Sequence, residues 1–353
     1  MQSNILSPFK FLDSYSIHDL DIFYGRENES RQLYQKFFSS NLLVLYGKSG
    51  TGKSSLVNCG LMANIPPEDA MLITVRCGDD PFNNLIQSLK AKASINSNDE
   101  LALIENIFEN NFKPLAFVFD QFEEIFIVTE ASKRIRFVNA LINILKYKNI
   151  KSNVIISIRE EYLANLTDLE EHIPTLFNNR FWLRSIKKES IKEIIDKPCR
   201  KCNVKVEKGL TDIITEKFET DLDEIELTYF QILMDNLFRK AIERNPESPE
   251  LKIDDFKKLG SLENLLGDFM NHELTQIKDI KKVETILKAL VTNEGTKRLI
   301  TINEIVKITS IKTAEVKSII YELIRKRIIS EKDDKEQYEL KHDILAKRIF
   351  GRI

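Results

Sequence analysis

One octet constrains the fold of this chain more than any other feature: Gly47-Lys48-Ser49-Gly50-Thr51-Gly52-Lys53-Ser54. It has the GxxxxGK[ST] form, follows the apolar run 42–46 and precedes a helical stretch, the context in which such a loop cradles a phosphate chain. Glycines let the backbone curl so that its N–H groups and the next helix start face an anion. Lys53 is then expected to reach the β- and γ-phosphates and Ser54 to ligate Mg2+. The expected nucleotide contacts are Gly47, Ser49, Gly50, Thr51, Gly52, Lys53, Ser54 and Ser55. Behind the loop, the runs 71–75, 115–119, 154–158 and 181–186 join 42–46 as strands, nearly continuous in apolar residues because helices cover both faces. The predicted fold is α/β: a P-loop core with a three-layer parallel sheet.

The run 115–119 ends in Asp120-Gln121-Phe122-Glu123-Glu124, a Walker B form. A carboxylate at a strand's carboxyl end is placed to hold the metal beside Ser54, and another a few residues on to orient the attacking water. Asp120 is the magnesium candidate, and Glu123 or Glu124 is the base. The run 154–158 ends in Arg159, a candidate for sensing the γ-phosphate from the sheet's edge.

Beyond 186 the texture turns to charged helical segments without strand-like runs, with breaks at Asn245-Pro246-Glu247-Ser248-Pro249 and Leu259-Gly260-Ser261. From there, helical patterns at 262–276, 281–291, 302–308 and 313–327 precede Ile328-Ile329-Ser330, a charged turn and Gln337-Tyr338-Glu339-Leu340. Three helices followed by a hairpin describe a winged helix. The expected organisation is an N-terminal extension 1–20, a P-loop NTPase domain 21–186, an all-helical lid domain 187–261 and a winged-helix domain 262–353.

The 353 residues are too many for one ordinary core. The 52 basic and 54 acidic residues nearly cancel, so no overall field recruits nucleic acid or an anionic membrane. No apolar run approaches the ~18 residues of a membrane helix, and four cysteines form no disulfide framework, which suits the cytoplasm. Cys199 and Cys202 make one CxxC, short of a four-ligand zinc site.

Asp21-Ile22-Phe23-Tyr24-Gly25-Arg26-Glu27, the phosphate loop, the Asp120–Glu124 segment and Ser157-Ile158-Arg159-Glu160-Glu161-Tyr162 together resemble the STAND branch of the AAA-related ATPases, most closely the first group of the novel STAND NTPases. The resemblance implies ATP and ADP as ligands, with Phe23, Tyr24, Gly25 and Arg26 lining the adenine. The segment Tyr338 to Ala346 is similar to the family's winged-helix motif, which implies that His342 approaches the β-phosphate of ADP and holds the switch closed. Thr228 stands where the family often has a nucleotide-touching proline, and Asp343 where it has Glu. By the same resemblance the chain is a slow, regulatory ATPase that forms a nucleotide-dependent homo-oligomer and is expected to be either a fragment of a longer protein or the partner of a separately encoded effector or sensor protein, in bacterial anti-phage defence or signalling. A Gly-Arg-Glu entry, phosphate loop and winged helix also resemble the origin-recognition initiators. That reading requires DNA on the basic residues Lys312, Lys317, Arg325, Lys326 and Arg327.

Overall fold

The computed structural model describes residues 6–351 except 12, 128, 222–226, 260–273, 275–276, 278, 327, 333–336 and 342. Two compact units divide the chain. One is Ser14–Pro198 with Thr215–Leu227, and the other is Met1–Asp13, Cys199–Ile214 and Thr228–Ile353.

The first unit is built on five strands: β1 (Leu42–Gly47), β2 (Met71–Arg76), β3 (Leu115–Asp120), β4 (Ser152–Arg159) and β5 (Arg180–Trp182). They pair in parallel in the order β2-β3-β4-β1-β5. Alternation along each strand sends side chains to two apolar layers. Leu42, Val44, Ile73, Val75, Phe117, Phe119, Val154 and Ile156 pack on one face, where Leu85, Leu103 and Phe137 come from helices α3 (Pro81–Lys90), α4 (Glu100–Asn111) and α5 (Ala131–Lys146). Leu43, Leu45, Val118 and Ile155 pack on the other, with Leu33 and Phe37 of α1 (Glu27–Ser39) and Leu56 and Leu61 after the phosphate loop. Burial on both faces is what made these runs read as continuously apolar. The fifth strand is shorter than the expected 181–186. Leu183 N still donates to Tyr46 O at 2.8 Å, but the carbonyl of Arg184 is taken by the Arg26 side chain, which ends the ladder.

The helix after the loop changes pitch along its length: α2 (Lys53–Ser55) is α-helical, Leu56–Leu61 widens to π geometry and Met62–Asn64 tightens to 3-10. Helix α3 starts at Pro81, with Asp80 accepting the Asn83 N–H.

Between 187 and 261, where the sequence reads as helices alone, the helices Ser190–Lys201, Leu210–Asp221, Leu227–Arg244 and Ile253–Lys258 are joined by a two-stranded parallel pair, Lys205–Val206 with Glu250–Leu251. Two-residue strands carry no periodicity to read. In the second unit, Phe9 and Phe11 are buried, Lys10 N donates to Gln231 Oε1 at 3.2 Å, and Lys341 pairs with Asp13 at 2.6 Å. Toward the end of the chain, helices Ile280–Ala289, Ile302–Thr309 and Thr313–Arg325 accompany an antiparallel sheet of Ile300–Thr301, Gln337–Leu340 and Ile329–Lys332. The helix expected over 262–276 falls almost wholly outside the described residues. Thr301 and Glu304 form a capping box at the start of Ile302–Thr309. No helix among the described residues is long and apolar enough to cross a membrane.

Candidate nucleotide site

Sheet register assembles the site. Gly47 of β1 lies opposite Arg159 of β4, and Arg76 of β2 lies opposite Asp120 of β3, so four strand ends bring functional residues to one edge. That edge is the carboxyl end of a parallel sheet, where open α/β folds bind ligands.

The loop leaves β1 at Gly47 and turns through Gly50 and Gly52 with φ of 77° and 87°, angles that only glycine adopts without strain. Thr51 Oγ1 donates to Lys48 O at 2.9 Å and closes the turn. The Lys53 ammonium curls back into it, donating to the carbonyls of Gly47 and Lys48 at 2.8 and 2.9 Å. Burial lowers the pKa of Lys53, opposed first by the charge of Glu123 and also by that of Asp120. A half-buried ammonium resting on neutral carbonyls is set to take an anion, because the exchange replaces dipoles with a full opposite charge.

Ser54 Oγ donates to Asp120 Oδ2 at 2.7 Å. Hydroxyl and carboxylate oxygens at hydrogen-bond distance are the hard donors that Mg2+ takes, one or two from protein and the rest from phosphate and water. The described residues contain no cluster of three or more His, Cys, Asp or Glu that could hold a metal alone. Phosphate cradle, ammonium and oxygen pair thus fit a nucleotide with its magnesium ion.

The two glutamates are held apart. Glu123, almost fully buried, accepts from Arg159 Nε at 2.9 Å and from the Arg159 backbone N–H at 3.2 Å. Burial raises its pKa, with Arg159 and then Lys53 pulling it back. Glu124 accepts from Arg76 Nη2 at 2.6 Å, Arg76 Nε at 3.3 Å and the Gly78 N–H at 2.9 Å. Thr129 braces the same turn, its hydroxyl donating to Gly78 O at 2.7 Å. The turn after Asp120 depends on Gln121 at φ 53° and on Phe122 N donating to Ser157 O at 2.9 Å. Gln121 Oε1 and Ser157 Oγ are buried without a hydrogen-bond partner.

The segment before α1 closes the site's other side. Arg26 donates to Thr51 O at 3.0 Å, Arg184 O at 2.9 Å and Glu29 Oε1 at 2.7 Å, tying the entry segment to the loop and to the end of β5. Its guanidinium therefore shapes the loop. Gly25 lies where a side chain would meet Ile194 at 2.7 Å, and Lys197 sits over the Tyr24 ring at 5.4 Å. The Phe23 ring lies 5.4 Å from Tyr15, whose N–H donates to Ser55 Oγ at 3.1 Å. Ser49 is half-buried in the loop, and His342 lies outside the described residues.

Sequence reasoning did not single out Arg76, Gly78, Thr129 or Tyr15. A signal existed for Arg76, which ends the β2 run just as Arg159 ends that of β4.

A search of curated proteins finds no match. Among solved structures, the fold is similar to a Walker-type ATPase of Pyrococcus abyssi (17% identity, 98% of this chain and 100% of that one, TM-score 0.50). It is also similar to the Aeropyrum pernix ORC2 protein in its ADPNP–ADP complexes (13%, 93% and 93%, TM-score 0.54) and to the ORC1 protein of the same organism in complex with DNA (12%, 95% and 94%, TM-score 0.50). These likenesses speak for the fold. The sequence pattern of the Novel STAND NTPase 1 family matches residues 8–348, and by that match the chain belongs to this family and is a P-loop ATPase.

Proposed function

We propose that the chain is a switch whose state is set by ATP or ADP, with slow Mg2+-dependent hydrolysis as its reset. The observation that carries this is the double clamp on the acidic segment: Glu123 is held by Arg159 and Glu124 by Arg76. An active site built for rapid turnover keeps a carboxylate ready for water, whereas a regulated one withholds it.

In this reading Lys53 and the loop hold the phosphates, Ser54 and Asp120 hold magnesium, and Phe23, Tyr24 and Gly25 receive the adenine beside Tyr15. Magnesium, when bound, neutralises phosphate charge. Glu123 is the base that accepts a proton from the attacking water. Its charge is the first to oppose the desolvation of Lys53, while Glu124 is tied to Arg76 of β2, the edge strand separated from the loop's strand by β3 and β4. Arg159 senses the γ-phosphate, and His342 steadies the ADP-bound resting state. Residues 187–261 act as a lid domain and 262–353 as a winged-helix domain. Downstream, the switch controls homo-oligomer assembly or a separately encoded effector or sensor protein, in the cytoplasm, in bacterial anti-phage defence or signalling.

The test is to purify the chain without added nucleotide, denature it and identify what is released. Stoichiometric ADP, lost in His342→Ala, supports the closed switch, and an empty protein overturns it. Glu123→Gln should abolish turnover while sparing ATP binding, and Glu124→Gln should retain turnover.

A second reading, DNA binding through the winged helix, draws on the fold likeness to an ORC1 protein solved with DNA and on the exposed Tyr321 of Thr313–Arg325, one helical turn from Lys317. Duplex binding that weakens steeply with salt would favour it. No binding at low salt would end it.

A further inference from the structure

We propose that Arg159 is a lock on Glu123, holding the carboxylate while the site lacks a terminal phosphate and releasing it when that phosphate takes over the guanidinium. The proposal rests on the ATPase reading of the same site and assigns Arg159 a second task within it.

Three observations lead here. First, the grip is double: both the side-chain Nε and the backbone N–H of Arg159 point at Glu123, one to each carboxylate oxygen, at 2.9 and 3.2 Å. Anchoring by main chain and side chain together fixes the carboxylate's rotamer, so Glu123 cannot swing toward a water without giving up a bond. Second, the pair is dry, with side chains 9% and 3% exposed. In such surroundings one guanidinium does not satisfy two anions at full strength, and a second anion must compete for it. Third, β-sheet register sets Arg159 opposite Gly47, the residue from which the phosphate loop springs. The lock therefore stands one strand away from the loop.

The consequence is chemical. Arg159 offsets part of the burial that raises the pKa of Glu123, so the paired carboxylate is a weaker proton acceptor than burial alone would make it. Left buried after Arg159 turns away, the same carboxylate binds a proton more strongly, and the base becomes active only when the triphosphate is present. Glu124 does not share this device. Its arginine comes from β2, the edge strand separated from the loop's strand by β3 and β4.

The experiment uses the full chain stripped of nucleotide and measures equilibrium binding of ADPNP and of ADP, each with Mg2+, by calorimetry. Glu123→Gln removes the carboxylate's claim on Arg159 and should tighten ADPNP roughly tenfold, the value of one charge-assisted bond, with ADP unchanged. In an Arg159→Ala background the same substitution should change nothing. Should Arg159→Ala fail to fold, Arg159→Lys, which keeps the charge and loses the fork, should weaken ADPNP and shrink the gain. An equal gain for both nucleotides, or a gain that persists without Arg159, would show that Glu123 merely repels phosphate and would overturn the lock. No gain at all would overturn it as well. Failure of the base assignment is separate, since it shows as ATP turnover retained by Glu123→Gln whatever the binding ratio.

Discussion

Replacing Arg76 with alanine tests the division of labour between the neighbouring glutamates. In the structure Glu124 is 7% exposed and Arg76 16%, and the carboxylate takes two N–H groups from the guanidinium plus that of Gly78. Removing the arginine leaves a buried charge on one backbone donor. Breaking a buried pair from one side costs roughly 3–5 kcal/mol, and the surviving Gly78 bond puts the expectation at the low end, about 3 kcal/mol. For a folding unit of this size that lowers Tm by about 10 °C at roughly 2–4 °C per kcal/mol. Glu124→Gln keeps the shape and the Gly78 contact and removes only the charge that faces Arg76, so about 1–2 kcal/mol is expected. The double variant should fall short of the sum by about 2 kcal/mol, the coupling of a contacting pair. Thermal unfolding of the nucleotide-free chain measures all three, with steady-state ATP hydrolysis alongside. A Tm loss below about 2 °C for Arg76→Ala would refute the buried-clamp account. Turnover in Glu124→Gln as low as in Glu123→Gln would place Glu124 in the chemistry and refute the assignment of the base.

Gly47→Ala puts a Cβ 2.3 Å from the Leu183 carbonyl oxygen, so backbone must shift. We expect about 3 kcal/mol of lost stability together with loss of nucleotide binding, checked by urea unfolding and calorimetry, and an unperturbed variant would contradict the packing of loop on β5. Burial raises the pKa of Glu123, so its neutral form favours folding. That contribution is full below the ordinary glutamate value of about 4.3 and is lost as pH rises through the higher folded value. Stability of Glu123→Gln should therefore gain on the wild type as pH climbs above about 4.3, and parallel stability–pH curves would refute it. Cys59, Cys77 and Cys199 are buried, and burial pushes Cys59 up to about 11 and Cys77 well above its ordinary value, while Cys202 is half-buried and also raised. Iodoacetamide on the native protein at neutral pH should label Cys202 slowly and the other three after unfolding, as read by peptide mass mapping, and rapid labelling of Cys59 would contradict its burial.

The core of the fold was legible because its signals are local. A strand buried on both faces writes its length as an apolar run, and Gly50 and Gly52 of the phosphate loop stand where φ is positive. Arg159 and Asp120 could be placed at strand ends for the same reason. What the sequence left open depends on strand order. Nothing in a linear reading says that β2 neighbours β3, and without that neighbour Arg76 has no visible claim on Glu124. The choice between Glu123 and Glu124 hung on a single turn: Gln121 in the left-handed region reverses the chain and sends consecutive side chains to different arginines. Sequence alone cannot phase that turn. Tyr15 was hidden for a different reason, since it touches Ser55 through its backbone N–H and leaves no side-chain pattern.

The register that buries the strands also arranges the charges. Lys53, Arg76 and Arg159 meet Asp120, Glu123 and Glu124 at one sheet edge, and each arginine takes a different glutamate while Asp120 takes the Ser54 hydroxyl. Pairing the buried ions in this way keeps the ligand-free site stable, because an unpaired one would be costly. On the proposal made for Arg159, the same pairing would make the site responsive: a triphosphate would gain Lys53 by displacing two carbonyls, but would gain Arg159 only by taking it from Glu123. A diphosphate, one phosphate shorter, has the first exchange open to it without the second. Under the proposed lock, discrimination between ATP and ADP would follow from which existing bond each must break, with the arginine that closes β4 as the element that tells them apart.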